Sequence, residues 1–227
     1  MSLRLASLIC KTIMEDTFKD RGARKRLIEE LKTKGIVDER VLSAMLKIPR
    51  HYFIQPEFRT HAYQDKAFKI DAGQTISQPY TVAYQTQLLQ IEKGDKVLEV
   101  GTGSAYQSII LLELGVELYT IERQSALFNK AHARIAKFGY KATCILGDGS
   151  KGYESAAPYD KIIVTAGAPV LPEALIKQLK IGGILIIPIG DNQTQKMHSI
   201  VKTSATTFEE ITLENFRFVP LIGEQAW

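Results

Sequence analysis

Apolar positions in the first ninety residues recur at helical spacing. Leu27, Ile28 and Leu31 predict a helix from Arg24 to Gly35, with the glycine as its C-terminal stop. Asp38 offers an N-cap to a second helix whose stripe is Val41, Leu42, Met45 and Leu46 and which ends before Pro49. From Pro49 to Gly73 the chain is aromatic and irregular, with His51, Tyr52, Phe53, Phe58 and Tyr63. Pro79 stands where the first turn of a third helix is expected, running through "VAYQTQLLQI" with Val82, Leu88 and Leu89 turned inward.

After Gly94 the pattern changes. Short apolar runs, "KVLEV", "ELYTIE", "ATCILG", "DKIIVTAG" and "GILIIPIG", alternate with the helical stretches "YQSIILLELG", "QSALFNKAHARIAKFG" and one from about Pro172 to Lys180. Such alternation predicts right-handed crossovers and a mostly parallel, doubly wound sheet covered on both faces, an α/β fold. The tail departs from it. "MHSIVKT" and "ITLENFRFVPL" read as strands with only "SATTFEE" between them, too short for a crossover helix, so an antiparallel C-terminal edge is expected.

The chain of 227 residues is 45% hydrophobic and 24% charged, which suits one soluble domain with a substantial core. Its net charge of +4 is mild, and the most basic stretch, Arg21 to Lys34, carries Glu29 and Glu30 among its cations. That reads as a solvated helix face, so no nucleic-acid partner is expected. Cys10 and Cys144 have no metal-ligand spacing, and neither a disulfide nor a metal site is expected. The opening "MSLRLASLIC" is cut short by Lys11, Glu15 and Asp16 with no cleavage site after it, and no apolar run reaches the roughly 20 residues of a membrane span. A cytoplasmic protein with no membrane partner is the expectation.

The first parallel strand runs into "LEVGTGSAY", the position at which open parallel sheets bind ligands. Gly101 and Gly103 allow a tight turn and close approach to the backbone. A dinucleotide fingerprint would want a third glycine where Tyr106 stands, and no phosphate-gripping G-x-x-x-x-G-K-[ST] run exists. Glu122, closing the second strand, is placed to accept from two ribose hydroxyls. "GDG", Gly147 to Gly149, follows the third strand, where Asp148 could accept from an adenine amino group. Singly, Glu122 is equally a plain strand end and Asp148 a turn residue. Together, without phosphate grips, they suit a nucleoside lacking phosphates, of which S-adenosylmethionine is the common one.

After the fourth strand, where a catalytic base often stands, the chain has "TAGAP", Thr165 to Pro169. An enzyme so equipped suits an acceptor already nucleophilic at neutral pH, and a carboxylate with pKa near 4 is one. Catalysis is then mainly alignment. Such an acceptor needs neutral donors, which Thr75, Ser77 and nearby backbone N–H groups in "GQTISQPY" can supply. Ser77 also stands where it would simply N-cap the following helix. A nucleophilic role lacks a G-x-S-x-G elbow, and no motif pairs His51, His61, His132 or His198 with a serine.

"GQTISQPYTVA", "VLEVGTGSAYQ", "GDG", "APYDKIIVTAGAP" and "RFVPL" resemble, in order, the signature stretches of the protein-L-isoaspartate O-methyltransferase family. "GIVDERVLSAMLKIPRHYFI" is similar to the family's N-terminal helical segment, and the likeness covers roughly residues 24 to 222. It implies a Rossmann-like S-adenosylmethionine-dependent fold in a single domain, 1–227. Residues 1–93 would form an N-terminal helical extension and active-site lid, and 94–227 the cofactor-binding core. It further implies methyl transfer from S-adenosylmethionine to the free α-carboxylate of L-isoaspartyl residues in damaged proteins, which returns them through a succinimide to aspartate. By the resemblance Ser77 is the active-site serine near methyl and acceptor, Gln74 and Thr75 wall the cofactor, and Glu99, Gly101 and Gly103 form its loop. Glu122 binds ribose, Asp148 with Gly149 meets adenine, and Val219 lines the peptide groove.

One departure stands out: the family usually has glycine where this chain has Ala105. If φ there is positive, the alanine costs on the order of 1 kcal/mol; if it is helical, the change is neutral. Two other readings compete, a methyltransferase acting on another carboxylate or on RNA, and a nucleoside-binding module without catalysis. The RNA reading requires steep salt dependence of binding, and the binding module requires that Ser77→Ala change nothing.

Overall fold

The computed structural model describes residues 15–227; Cys10 and the opening run lie outside them. Helix α1, Phe18–Thr33, starts six residues before its expected start. The cause is polar: Thr17 and Asp20 form a reciprocal capping box, which apolar periodicity does not register. Helix α2, Glu39–Lys47, is N-capped by Asp38 as expected. It buries Val41, Leu42, Ala44 and Met45, while Leu46, expected in the stripe, lies at the surface. Helix α3, Pro79–Leu88, carries its proline in the first turn. Its N-cap is Gln78, with no side-chain cap bond. Asp65 supplies the missing acceptor from fifteen residues away, taking the Tyr80 N–H at 2.8 Å.

Two short strands, β1 (Phe68–Lys69) and β2 (Thr75–Ile76), pair antiparallel ahead of the main sheet. That sheet comprises β3 (Lys96–Val100), β4 (Glu117–Glu122), β5 (Thr143–Leu146), β6 (Tyr159–Val164), β7 (Leu179–Gly190), β8 (Gln195–Lys202) and β9 (Phe208–Phe216) in the order β5-β4-β3-β6-β7-β8-β9. The first five in that order run parallel and the last two antiparallel, as expected. Helices α4 (Tyr106–Glu113), α5 (Ser125–Lys137) and α6 (Glu173–Gln178) supply crossovers.

The pleat divides the core in two. Val97 and Ile163 point to one face, under α1 to α5, while Leu98, Val100, Ile162 and Val164 point to the other, under α6 and the C-terminal tail. Both faces are covered, which is why these strands read as continuous apolar runs. The first core joins side chains from before and after Gly94, so the N-terminal helices pack on the sheet rather than beside it. No helix among the described residues is long and apolar enough to cross a membrane.

Two further boundaries differ from the expectation. The last strand begins at Phe208 and stops at Phe216, so "RFVPL" leaves the sheet; Gly167 N–H donates to Val219 O and Leu221 N–H to Gly167 O. Helix α6 stops at Gln178 because Leu179 pairs with Tyr159 of β6. Its open end is closed by Lys202, a buried residue at the end of β8. Lys202 Nζ donates to the carbonyls of Ile176 (2.8 Å), Lys177 (3.1 Å) and Leu179 (2.8 Å). Lys202→Met removes the buried donor from those carbonyls, of which Ile176 O keeps the Leu179 N–H. It lowers unfolding free energy by about 2 kcal/mol, read as a lower urea midpoint at unchanged slope.

Candidate functional site

Strand order reverses between β3 and β6, and a cleft opens beyond their C-terminal ends. Val100 is the last residue of β3 and pairs with both Ile121 and Val164. Past it the chain turns sharply through Gly101 (φ +99°) and Gly103 (φ +52°). At Gly101 a Cβ would meet Thr165 Oγ1 at 2.5 Å, so glycine is required there twice over, by backbone and by space. Thr165 Oγ1 donates to Gly101 O at 2.6 Å and holds the turn from β6. Glu122 grips it from β4: Oε2 accepts the Gly103 N–H and Oε1 the Gln124 N–H, both at 2.8 Å.

The second wall is the strap from Phe68 to Gln78. Its two-stranded ladder, Phe68↔Ile76 and Lys69↔Thr75, sets Gln74, Thr75, Ile76 and Ser77 along the cleft. Lys130 of α5 holds Asp71 at 2.6 Å, and Arg50 Nη2 donates to Ser77 O at 2.8 Å. The tail closes the third side with Val219, Leu221 and Ile222. The structure therefore brings together Gln74, Thr75, Ser77, Gly101, Gly103, Glu122, Gly149 and Val219, which are spread over 146 positions of sequence.

Two expected residues stand elsewhere. Glu99 does not line the cleft; it is fully buried beneath the turn, where Oε2 accepts from Ser108 Oγ (2.5 Å) and Thr120 Oγ1 (2.6 Å). Thr120 in turn meets the Thr102 hydroxyl at 2.6 Å, so Glu99 ties the glycine turn to β4 and α4 from below. Asp148 is absent from the lining as well. Its Oδ1 accepts from Ser150 N–H (2.9 Å) and Oγ (2.7 Å), and its Oδ2 from Glu224 N–H (2.9 Å), which fastens the C-terminal tail. Gly149 alone of the "GDG" triplet faces the cleft, and Val100 leaves no room for a side chain there.

Sequence reading missed Thr165, Gln124 and Arg50. Thr165 was passed over because it is no base; its role is a hydrogen bond to a turn 64 positions away. Arg50 sits in the irregular aromatic stretch, where no periodicity marks a buried position. Among the residues lining the cleft there is no histidine, cysteine or lysine, and Glu122 is the only carboxylate. Elsewhere Asp16, Asp20 and His51 converge in a way that could suit a metal ion. Arg24 already holds Asp16 (3.0 Å) and Arg59 holds Asp20 (2.8 Å), so the two carboxylates are neutralised within the protein.

The cleft fits an adenosyl cofactor on its own terms. A carboxylate ends β4, and the turn beside it is made of glycines that admit a nucleoside close to the backbone. Comparison with known proteins agrees. A family model described as protein-L-isoaspartate(D-aspartate) O-methyltransferase (PCMT) matches residues 22–226. The protein-L-isoaspartate O-methyltransferase of Cytophaga hutchinsonii is 54% identical over 217 residues, covering 94% of this chain and 97% of its own. That of Dictyoglomus thermophilum is 47% identical over 93% and 96%. A solved protein-L-isoaspartate O-methyltransferase superposes with a TM-score of 0.80 at 27% identity, over 89% of this chain and 67% of its own. A Plasmodium falciparum protein assigned to the same activity and solved with S-adenosyl-L-homocysteine gives 0.76 at 28% identity, over 88% and 98%.

Two predictions come from the residues under the turn. Burial pushes the Glu99 carboxyl up to about 7, the two hydroxyls pull it down, and the Glu122 charge adds to the rise. Its usual value is 4.5, so the stability it contributes is full below that pH and is lost as pH rises through 7. Between pH 5 and pH 8 Glu99→Gln therefore gains on the unaltered protein by about 2 to 3 kcal/mol in unfolding free energy; parallel pH curves would sink the assignment. Ala105 is the N-cap of α4 and adopts φ +65°, ψ 14°, fully buried. The left-handed conformation is strained for alanine, so Ala105→Gly raises stability by up to about 1 kcal/mol. S-adenosylhomocysteine affinity stays within a few-fold by calorimetry, because nothing in the cleft changes.

Proposed function

Because the chain belongs to the protein-L-isoaspartate(D-aspartate) O-methyltransferase family, we infer that it repairs proteins by methylating the free α-carboxylate of L-isoaspartyl residues. It is an S-adenosylmethionine-dependent carboxyl methyltransferase. The cofactor, when bound, supplies an electrophilic methyl group on a sulfonium. The observation that carries the reading is the meeting of Ser77, the Gly101–Gly103 turn and Glu122 in one cleft without a general base.

Each residue then has a physical task. Glu122 accepts from ribose hydroxyls with the lone pairs left over from Gly103 and Gln124 N–H. Gly101, Gly103 and Gly149 admit the nucleoside close to backbone, and Gln74 and Thr75 cover it from the strap. Ser77 orients one oxygen of the acceptor with a neutral hydroxyl, which leaves its nucleophilicity intact. Val219 and its neighbours carry the peptide past the opening. The acceptor is ionised at neutral pH, so no side chain has to remove a proton, and rate enhancement comes from alignment in a site closed to water. Glu99 and Asp148 serve indirectly, the first under the turn and the second on the tail. In this reading the described residues up to 93 are extension and lid, 94–227 the cofactor core, and the enzyme works in the cytoplasm on damaged proteins and peptides. The ester it makes closes to a succinimide, which reopens in part to aspartate.

The test is transfer of labelled methyl from S-adenosylmethionine to a short peptide containing L-isoaspartate, beside the same peptide with normal aspartate. Label is expected on the first only. Ser77→Ala is expected to lower kcat by a factor of ten or more with S-adenosylhomocysteine affinity within a few-fold; unchanged turnover would overturn the role of Ser77, and no transfer to either peptide would leave only a binding module.

A further inference from the structure

The buried side chain of Arg50 has no role in the account so far beyond one hydrogen bond. It is fully buried, and no carboxylate among the described residues lies at ion-pair distance from it. Nη2 donates to Ser77 O (2.8 Å) and to Lys66 O (3.3 Å); Nε and Nη1 have no hydrogen-bond partner. Its guanidinium carbon stands 5.0 Å over the ring of Tyr106, which lines the cleft. The carboxylate that bears on it electrostatically, Asp65, is claimed by Lys34 (2.7 Å) and by Tyr80 N–H (2.8 Å). Burial pushes the guanidinium down to about 10, which leaves it charged at neutral pH.

A buried cation without a counterion is costly. Two carbonyls and a ring face offset part of that cost, and an anion arriving nearby offsets more. The cleft residue whose carbonyl it holds is Ser77, proposed above to meet the acceptor. We propose that Arg50 is the positioning residue for the acceptor, fixing Ser77 through its carbonyl and favouring a carboxylate over a neutral group in the cleft beside it. The arrangement separates two tasks that one residue could not perform together. A guanidinium in direct contact would draw electron density from the attacking oxygen, whereas a charge one peptide unit behind Ser77 attracts through a medium of low dielectric and leaves the contact to a hydroxyl. It also explains why an arginine stands here: Nη2 holds both carbonyls while the planar guanidinium lies over the Tyr106 ring, a stacking that a lysine ammonium does not offer.

The proposal rests on the carboxylate-methylating reading, and the test separates the two. Two competing peptides are compared as inhibitors, one ending the isoaspartyl residue in its free α-carboxylate and the other in the neutral α-carboxamide. Arg50→Met is expected to weaken the carboxylate peptide about tenfold, to leave the carboxamide within twofold, and to keep S-adenosylhomocysteine affinity. Arg50→Lys is expected to restore most of the preference with a lower kcat. Equal losses for both peptides, or an unchanged preference, overturn the role of Arg50 while methylation by the unaltered enzyme stands. An unaltered enzyme that methylates no isoaspartyl peptide overturns both. Should Arg50→Met not fold, the unaltered protein serves: with S-adenosylhomocysteine present, the carbon-13 shift of a labelled acceptor carboxyl is titrated bound and free. A bound pKa at least one unit lower supports the proposal, and an unshifted one overturns it.

Discussion

Parallel pairing of β3 with a strand on each side governs the whole site. Val100 is held by β4 and by β6 at once, so the chain cannot drift when the pairing ends and must turn out of the sheet at a defined point. The crossovers leave in opposite directions along the sheet from there, which opens the crevice. Gly101 is the residue that meets the constraint first. With backbone at φ +99° and Thr165 against its Cα, it shows how the sheet's geometry reaches the cleft through a single close contact.

The rest of the site is brought to that point by packing. The strap from Phe68 to Gln78 has little pairing of its own, two residues on each side. It is stable because α1, α2 and α3 share one core with the face of the sheet beneath, and because Lys130 and Arg50 fasten it at two places. The tail is similar: Asp148 and Gly167 hold it by backbone groups of Val219, Leu221 and Glu224. Cofactor turn, strap and tail are thus separately anchored.

Polar groups under the surface do more of this work than those in the cleft. Glu99, Thr120 and Thr102 form a chain of hydrogen bonds below the turn, and Arg50 sits behind Ser77. In both cases the residue that would touch a ligand is neutral or already satisfied, and the residue that sets its position is buried. Desolvation makes these supports sensitive to protonation and substitution.

Much was legible in the amino-acid order alone. The apolar runs after Gly94 announced a covered parallel sheet, because a strand buried on both faces has no polar side to show. The glycines at 101 and 103, the acid at 122 and the serine at 77 were found because each is a local requirement of turn, strand end or strap. The resemblance to the family then placed Gln74 and Val219 with them. Local requirements also explain the misses at boundaries: a capping box at Thr17 and Asp20 extended α1 where no apolar stripe existed, and pairing of Leu179 with Tyr159 cut α6 short. What the tertiary structure alone decided was which polar groups are spent on the protein itself. Glu99 and Asp148 have the residue types of ligand contacts, and the fold gives each partners within the protein: hydroxyls from α4 and β4 for the first and the tail's backbone for the second. Those partners lie up to 76 positions away, and only a folded chain can deliver them, because a hydrogen bond depends on distance in space and is blind to separation in sequence.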